Sequence, residues 1–540
     1  MRIQQLNKKL ILSDLSNPEK LAVRRTCVNV KASGATIVLD DNLFNRMYLG
    51  YKPEAFYEEE SYVGEDELNP LLRDYQRADV LSMLKLKNVL NRNKPGYGKT
   101  FEAIEYCRLK GFKNILVICP KSVVTQWKYQ FEQWWPNVEP TLASGGMGAE
   151  GGICITNYEQ LTPRNVAPKG SRRKVLQPSQ LWLKCKARVW DIIILDESHR
   201  IKNAQAQITI AIKDLPSMHR MCLTGTPILG HPDDLWSQLH FLDPRWSGGN
   251  LWAFVDRFCE IEETHWGRKP IGLTPSKTAQ ELLAKVLATI SVGGENHKVT
   301  QGKNFIEIKL PMDTAQRNLY KDIVNLSLDN LEEKGVTVKN AMDQIIKQQQ
   351  VTTNCTKFQG CKHNPKFEWL RDWLEDNEGE RLVVFTKFAE TAKALQEFFT
   401  KSKIKSVLYI GEMSGTERLK AVKSFVQPLR EGAEKALKGN AAPVVIIGTI
   451  GALGTGVDGL QHVCSNVVFL DRDWTPGINE QAEDRVNRSG QVGMTNVWIL
   501  NMEKSIDEYV DKIQGKKAED IEEVFRRVAE SKSNGAGSGQ

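Results

Sequence analysis

Twice along this chain, short apolar runs that end in polar or turn residues alternate with segments of helical periodicity. That alternation constrains the fold more than any other feature. Between about 70 and 275 the runs are NILVICP, GGICITN, DIIILDE and RMCLTG; between about 366 and 515 they are RLVVFTK, SVLYIG, PVVIIGT, NVVFLD and NVWIL. A strand that is apolar along its whole length must be covered on both faces. Each stretch therefore predicts a parallel α/β sheet with helices on either side. In VVTQWKYQFEQWW, Trp127, Phe131 and Trp134 share one helical face and read as core.

The remaining segments differ in character. TCVNVKA and ATIVLDD read as two strands turning near Ser33-Gly34, followed by a charged and aromatic linker, AFYEEESYVGEDELNP. AQELLAKVLATI, TAQRNLYKDIVNLSLDNLEE and KNAMDQIIKQQQ are helical patterns set in looser polar sequence. The expected organisation is a small accessory module at 1–66, a first lobe at 67–275, a helical insertion at 276–365, a second lobe at 366–515, and a helix end with a disordered tail at 516–540. Lys and Arg outnumber Asp and Glu by 73 to 66, too mild an excess to argue for nucleic acid without local features. The ten cysteines lack dense paired spacing and several lie in apolar runs, which predicts a reducing, intracellular setting. No run approaches the ~20 apolar residues needed to span a bilayer, and the start, MRIQQLNKKLILSDL, does not read as a signal peptide. The expectation is a soluble monomer without membrane association.

Chemistry concentrates at three places. NKPGYGKTFEAIEYC carries Pro95, Gly96, Tyr97, Gly98, Lys99 and Thr100 ahead of a helix-compatible run. Glycines let backbone N–H groups close around phosphates, Lys99 would reach the β- and γ-phosphates, and Thr100 would ligate Mg²⁺. The first glycine of the usual eight-residue pattern is Asn93 here, so the loop alone also admits a plain turn before a helix. In DIIILDESHR a buried strand delivers Asp196 and Glu197 to the carboxyl edge of a sheet, where open α/β folds bind ligands. Asp196 suits a Mg²⁺ shell, and Glu197 suits orienting or deprotonating an attacking water. In DRDWTPGINEQAEDRVNRSGQ, Gln481, Arg485 and Arg488 stand at helical spacing, so both arginines can project from neighbouring turns toward a phosphoryl group.

Taken in order from about 70 to 510, these motifs resemble a superfamily-two motor of the Swi/Snf-like type. LLRDYQ resembles that family's adenine motif, which implies Gln76 on the base with Arg73 beside it. VICPKSVVTQW is similar to motif Ia, ITNYEQL to motif Ib, DESHRIKN to the family's DEAHRIKN with Ser198 for alanine, and LTGTP to motif III. VVFTKF, GTIGALGTGVDGL and DRDWTP…QAEDRVNRSGQ are similar to motifs IV, V and VI. The resemblance implies two RecA-like lobes binding ATP and Mg²⁺ between them, with DNA running across both. It implies Gly456 and Asp458 at the nucleotide and His199, Thr224 and Thr226 in coupling. It also implies Lys121, Ser122, Asn157, Lys387 and Thr449 at nucleic acid.

The departures are informative. Lys94-Pro95 replaces the family's acidic residue and methionine, the paired arginines before the LP segment are absent, and no reader module is recognisable. This points to a compact, divergent member of prokaryotic or viral kind rather than a remodeller engine. Residues 163–190 hold Arg172, Arg173, Lys174 and five further Lys or Arg with no Asp or Glu, read either as a solvated loop or as an auxiliary clamp on phosphates. Cys355, Cys361 and His363 give three metal-type ligands where a structural zinc needs four. The expected function is an ATP-dependent translocase on double-stranded DNA without strong sequence preference, with residues 1–66 directing it to a DNA structure or protein partner. The alternatives are a strand-separating helicase, for which no wedge is identifiable, and a non-hydrolysing nucleic-acid scaffold, against which the intact Lys99, Asp196, Glu197, Arg485 and Arg488 argue.

Overall fold

The computed structural model describes residues 2–6, 9–27, 30–33, 36–40, 43–49, 65–144, 152–166, 175–265, 267–294, 300–326, 340–430, 443–454 and 457–536. The chain forms two units, Met1–His297 with Lys517–Gln540, and Lys298–Lys516.

Unit 1 opens with a four-stranded antiparallel sheet, β1 (Arg2–Leu6), β2 (Lys9–Ser13), β3 (Lys31–Ser33) and β4 (Thr36–Asp40), in the order β1-β2-β4-β3. The pairing of β3 with β4 matches the expected hairpin, although Gly34 at its turn lies outside the described residues, as does most of the expected linker. Helix Asn17–Thr26 is started by a capping box between Ser16 and Glu19 and buries Val23 with Leu10, Leu12, Ile37 and Leu39.

The main sheet of unit 1 contains β5 (Asn88–Asn91), β6 (Ile115–Cys119), β7 (Thr141–Leu142) and β8 (Ile153–Asn157). Next in the chain, β9 (Arg164–Val166) and β10 (Val175–Gln177) form a separate antiparallel pair at the start of the basic segment. The main sheet continues with β11 (Trp190–Asp196) and β12 (Ser217–Leu223), and a second hairpin follows in β13 (Cys259–Thr264) and β14 (Gly267–Leu273). The edge strand β15 (Ser291–Val292) completes the order β15-β5-β12-β11-β6-β8-β7, parallel throughout. Alternate residues of β11 enter opposite layers: Ile193 and Leu195 pack with Leu239 and Phe254, whereas Ile192 and Ile194 pack with Ile104 and Phe131. That two-sided burial is what the continuous apolar runs predict.

Two expected boundaries move. Helix Lys277–Ile290 buries Leu282, Leu283, Val286, Leu287 and Ile290 in the unit 1 core and leads into β15, so the segment from 276 to 297 belongs to this unit and not to an insertion. At the other end, one helix runs over Ile506–Ala536 where a helix end and disordered tail are expected. Its later part buries Val524 and Val528 in the unit 1 core, and Asp520 accepts from the Leu273 backbone N–H at 3.0 Å. An apolar stripe with a core to enter stabilises a helix that its small polar end would not.

Unit 2 is built on β16 (Lys303–Leu310), β17 (Leu382–Thr386), β18 (Ser406–Tyr409), β19 (Val445–Thr449), β20 (Asn466–Phe469) and β21 (Thr495–Met502). Their order is β16-β21-β20-β17-β19-β18, again all parallel. Leu382 and Val384 face one layer, Val383 and Phe385 the other. Cys355 and Cys361 lie in a small apolar cluster with Leu319, Ile323 and Val351, while His363 is turned to Glu368 at 3.1 Å. Among the described residues, no His/Cys/Asp/Glu group of three could hold a metal, and no helix is long and apolar enough to cross a membrane.

Candidate nucleotide site and the segments around it

Five of the singled-out segments of unit 1 leave the carboxyl ends of five parallel strands. The glycine loop follows β5, Thr224 follows β12, Asp196-Glu197 ends β11, Lys121 and Ser122 follow β6, and Asn157 ends β8. The first three leave adjacent strands, so sheet topology alone gathers Lys99, Thr224 and Glu197 at one edge.

The loop is held from several sides. Gly96 and Gly98 take positive φ angles of 82° and 86°, and a Cβ at Gly98 would sit 2.3 Å from the Gln76 amide nitrogen. The Tyr97 carbonyl between them accepts from Tyr75 Oη at 2.8 Å and from Gln76 Nε2 at 3.1 Å. Gln76 Oε1 in turn accepts from the Arg73 backbone N–H, so its carboxamide spans the adenine-motif turn and the loop. Lys99 and Thr100 open helix Lys99–Leu109, and the Lys99 ammonium donates to the carbonyls of Asn93 at 2.7 Å and Lys94 at 3.3 Å. A helix N-terminus, two left-handed glycines and a lysine curled over the loop's own carbonyls suit a polyphosphate.

Asn93, which replaces the pattern's first glycine, is fully buried and acts as a hub. Its Nδ2 donates to Asp79 at 2.7 Å and to Glu102 at 3.1 Å, and its Oδ1 accepts from the Gly294 N–H at 3.1 Å. Asn91 Nδ2 donates to the same Glu102 at 2.6 Å. Burial, helped by the Asp79 charge, pushes the Glu102 carboxyl up to about 8. Room for Asn93 and Arg92 comes from Gly293 and Gly294, where a Cβ would fall 2.1 Å from the Asn93 and Arg92 side chains respectively. This hub escapes sequence reasoning, because nothing local marks Asp79, Glu102 or Gly294 as its partners.

Asp196 and Glu197 occupy different environments. Asp196 Oδ2 accepts from Trp127 Nε1 at 2.8 Å, and burial together with the Glu197 charge raises its carboxyl to about 6. Glu197 sits in the left-handed region at φ 52°, unusual for a residue with a side chain. His199 Nδ1 lies 3.1 Å from Thr224 Oγ1 and 3.5 Å from Glu197 Oε2, and burial lowers its pKa although the Glu197 charge opposes this. Thr224 Oγ1 accepts from the Thr226 N–H, and Thr224 N–H donates to the Asn91 carbonyl. Ser198, alanine in the resembled motif, donates to Gln238, which donates to the Pro227 carbonyl. Hydrogen bonds thus run from His199, beside Glu197, through LTGTP to the strand below the glycine loop.

Lys121 and Ser122 are exposed, whereas Asn157 caps the short helix Tyr158–Leu161 by accepting from the Gln160 N–H. Arg172, Arg173, Lys174 and Gly456 lie outside the described residues.

In unit 2, helix Pro476–Glu483 carries the buried Gln481 but ends at Asp484, so Arg485 and Arg488 are not on it as their spacing predicts. They lie in successive tight turns, where Arg485 N–H donates to the Ala482 carbonyl and Arg488 N–H to the Val486 carbonyl. The helix stops where two carboxylates, Glu483 and Asp484, are drawn to Lys303 at 2.8 and 2.7 Å. Both arginines still turn to one segment: Arg485 Nε donates to the Gly454 carbonyl at 2.9 Å, and Arg488 pairs with Asp458 at 3.3 Å. Burial would raise Asp458, but Arg488, Gln461 and the Gly459 N–H together hold it below the usual carboxylate range. Lys387 N–H donates to Asp471, and its ammonium lies 3.4 Å from Gln349 Oε1, which also accepts from Trp474 Nε1. Thr449 ends β19 at the N-cap position of the short helix Ile450–Leu453, without a side-chain capping bond, and is buried.

Comparison with known proteins follows this geometry. A model of the SNF2-related domain matches residues 56–364, and one of the helicase conserved C-terminal domain matches 365–490. The human SWI/SNF-related matrix-associated actin-dependent regulator of chromatin subfamily A member 1 is 23% identical over 478 residues, 81% of this chain and 42% of that protein. The ISWI chromatin-remodeling complex ATPase ISW2 of Saccharomyces cerevisiae is 24% identical over 507 residues, 84% of this chain and 41% of its own length. An uncharacterized ATP-dependent helicase of Mycoplasma pneumoniae is 25% identical over 465 residues, 83% of this chain and 42% of that one. The chain thus spans about two fifths of the length of these relatives. Among solved structures, the Sulfolobus solfataricus SWI2/SNF2 ATPase core in complex with dsDNA matches 85% of this chain and 94% of its own, at 21% identity and a TM-score of 0.37. With more than half of its length matched by the SNF2-related domain, the chain belongs to the SNF2-related family.

Proposed function

We propose that this protein is a nucleic-acid-stimulated ATPase that moves along or remodels double-stranded DNA. The observation that carries this reading is the placement of Lys99, Asp196-Glu197 and Thr224 at the carboxyl ends of three adjacent parallel strands. Lys99 would exchange the Asn93 and Lys94 carbonyls for the β- and γ-phosphates of ATP, and Thr100 with Asp196 would hold Mg²⁺. Bound Mg²⁺ supplies charge neutralisation on the phosphates. Glu197 orients the attacking water and takes its proton. His199, already in reach of both Glu197 and Thr224, passes the state of that carboxylate to Thr226 and the LTGTP segment. Gln481, Arg485 and Arg488 supply the second lobe's share of transition-state stabilisation, and Gly456 and Asp458 would contribute to nucleotide binding. Lys121, Ser122 and Asn157 in the first lobe, and Lys387 and Thr449 in the second, grip the DNA backbone, whose phosphates dominate sequence-independent affinity.

Relatives named as chromatin-remodelling ATPases support the duplex-DNA reading. The test is steady-state ATP hydrolysis with no nucleic acid, single-stranded DNA, duplex DNA and RNA. Duplex DNA should stimulate most, and an equal rate in all four would reject a motor. Triplex displacement without fork unwinding is expected; efficient unwinding would make the protein a strand-separating helicase.

A further inference from the structure

Lys303 opens β16, which is paired with β21 along its whole length, and its ammonium is drawn to two neighbouring carboxylates. It lies 2.8 Å from Glu483 Oε2 and 2.7 Å from Asp484 Oδ1, with side-chain exposures of 14%, 8% and 6% for the three residues. Glu483 ends helix Pro476–Glu483, and Asp484 is its C-cap. Carboxylates are disfavoured there, because a helix C-terminus is itself the negative end of the helix dipole. Two of them side by side, with Glu480 adding to the field, need a buried cation to stay in place. The lysine remains charged under these partners, its pKa raised although burial opposes it.

What hangs from this clamp is the arginine segment. Arg485 follows Asp484 directly, Asn487 N–H donates to the Glu483 carbonyl, and Gln481 lies on the last turn of the same helix. Without Lys303 the two carboxylates would seek water or protons, and the helix end that aims Gln481 and Arg485 would move with them.

We propose that Lys303 is a positioning residue for Gln481, Arg485 and Arg488, setting their direction for hydrolysis without touching the nucleotide. The proposal rests on the ATPase reading above. Lys303→Met in the full chain, with saturating duplex DNA, should lower kcat for ATP about 10²-fold, the scale of an ångström-level misplacement. The KM for ATP should stay within about threefold, because uniform binding is untouched. In an Arg485→Ala background the same substitution should cost clearly less than about 10²-fold, since one of the three residues it positions is gone. General destabilisation would instead lower both backgrounds alike. A wild-type kcat in Lys303→Met, or a full additional loss in the Arg485→Ala background, would overturn the proposal. If Lys303→Met yields no folded protein, Asp484→Asn keeps Lys303 paired with Glu483 and should reduce kcat by roughly tenfold; an unchanged rate there overturns it equally. A wild-type chain without DNA-stimulated hydrolysis would reject the ATPase reading itself, which the wild-type arm reports separately.

Discussion

Glu197 combines an uncommon backbone conformation with a place beside His199, and strain of this kind concentrates at functional positions. We predict that Glu197→Gln keeps nucleotide binding while turnover falls by about 10²–10⁴-fold, the usual worth of a positioned general base. Fluorescent-nucleotide binding and steady-state hydrolysis measured together check this, and turnover at the wild-type rate would remove Glu197 from the role. Residue identities at this site are legible in the sequence because each motif is contiguous: PGYGKT, LDESH and LTGTP carry their own chemistry. Their supports are not legible. Asn93 finds Gly294 201 positions away, and Lys303 finds Glu483 180 positions away, through ordinary polar side chains with no local signature. The spacing of Arg485 and Arg488 misleads because their helix ends at Glu483, beside a lysine far away in the sequence.

Among the elements, strands buried on both faces announce themselves, as ILVIC and LVVFT do. Those at or near a sheet edge do not. β5 is only NVLN, β15 is two residues long, and the edge strand β16 (KNFIEIKL) alternates half-buried apolar residues with exposed charged ones over Ile306–Leu310. The helix Ile506–Ala536 is the clearest case of tertiary context overriding local sequence, and Val528, completely buried, anchors its later part. Val528→Asp should lower the unfolding free energy by more than about 3 kcal/mol, through lost apolar burial and an unpaired buried carboxylate. Chemical denaturation monitored by tryptophan fluorescence measures this. An unchanged midpoint would mean that residues 517–536 do not join the first lobe's core in solution.

For the molecule as a whole, the proposed affinity for DNA would be a sum over phosphate contacts drawn from separate segments, so no single residue should dominate it. The hairpin of β9 and β10 brings the flanks of residues 167–174 together, and these carry Arg172, Arg173 and Lys174. Reversing all three charges to Glu should weaken duplex binding and reduce the slope of log affinity against log salt by up to about 3, at ~0.9 per phosphate contact. A slope and affinity equal to the wild type would leave this segment outside the DNA path.

The glycine at 293 carries a message about ancestry. Asn93 fills the volume that any Cβ at 293 would need, so the two positions cannot both bear ordinary side chains. A lineage that places asparagine in the phosphate loop has therefore committed itself to glycine two hundred residues downstream. A lineage that keeps glycine in the loop loses that clash, but the φ of 70° at 293 still favours glycine there. A chain with large residues at both positions would have rebuilt the edge of its first sheet.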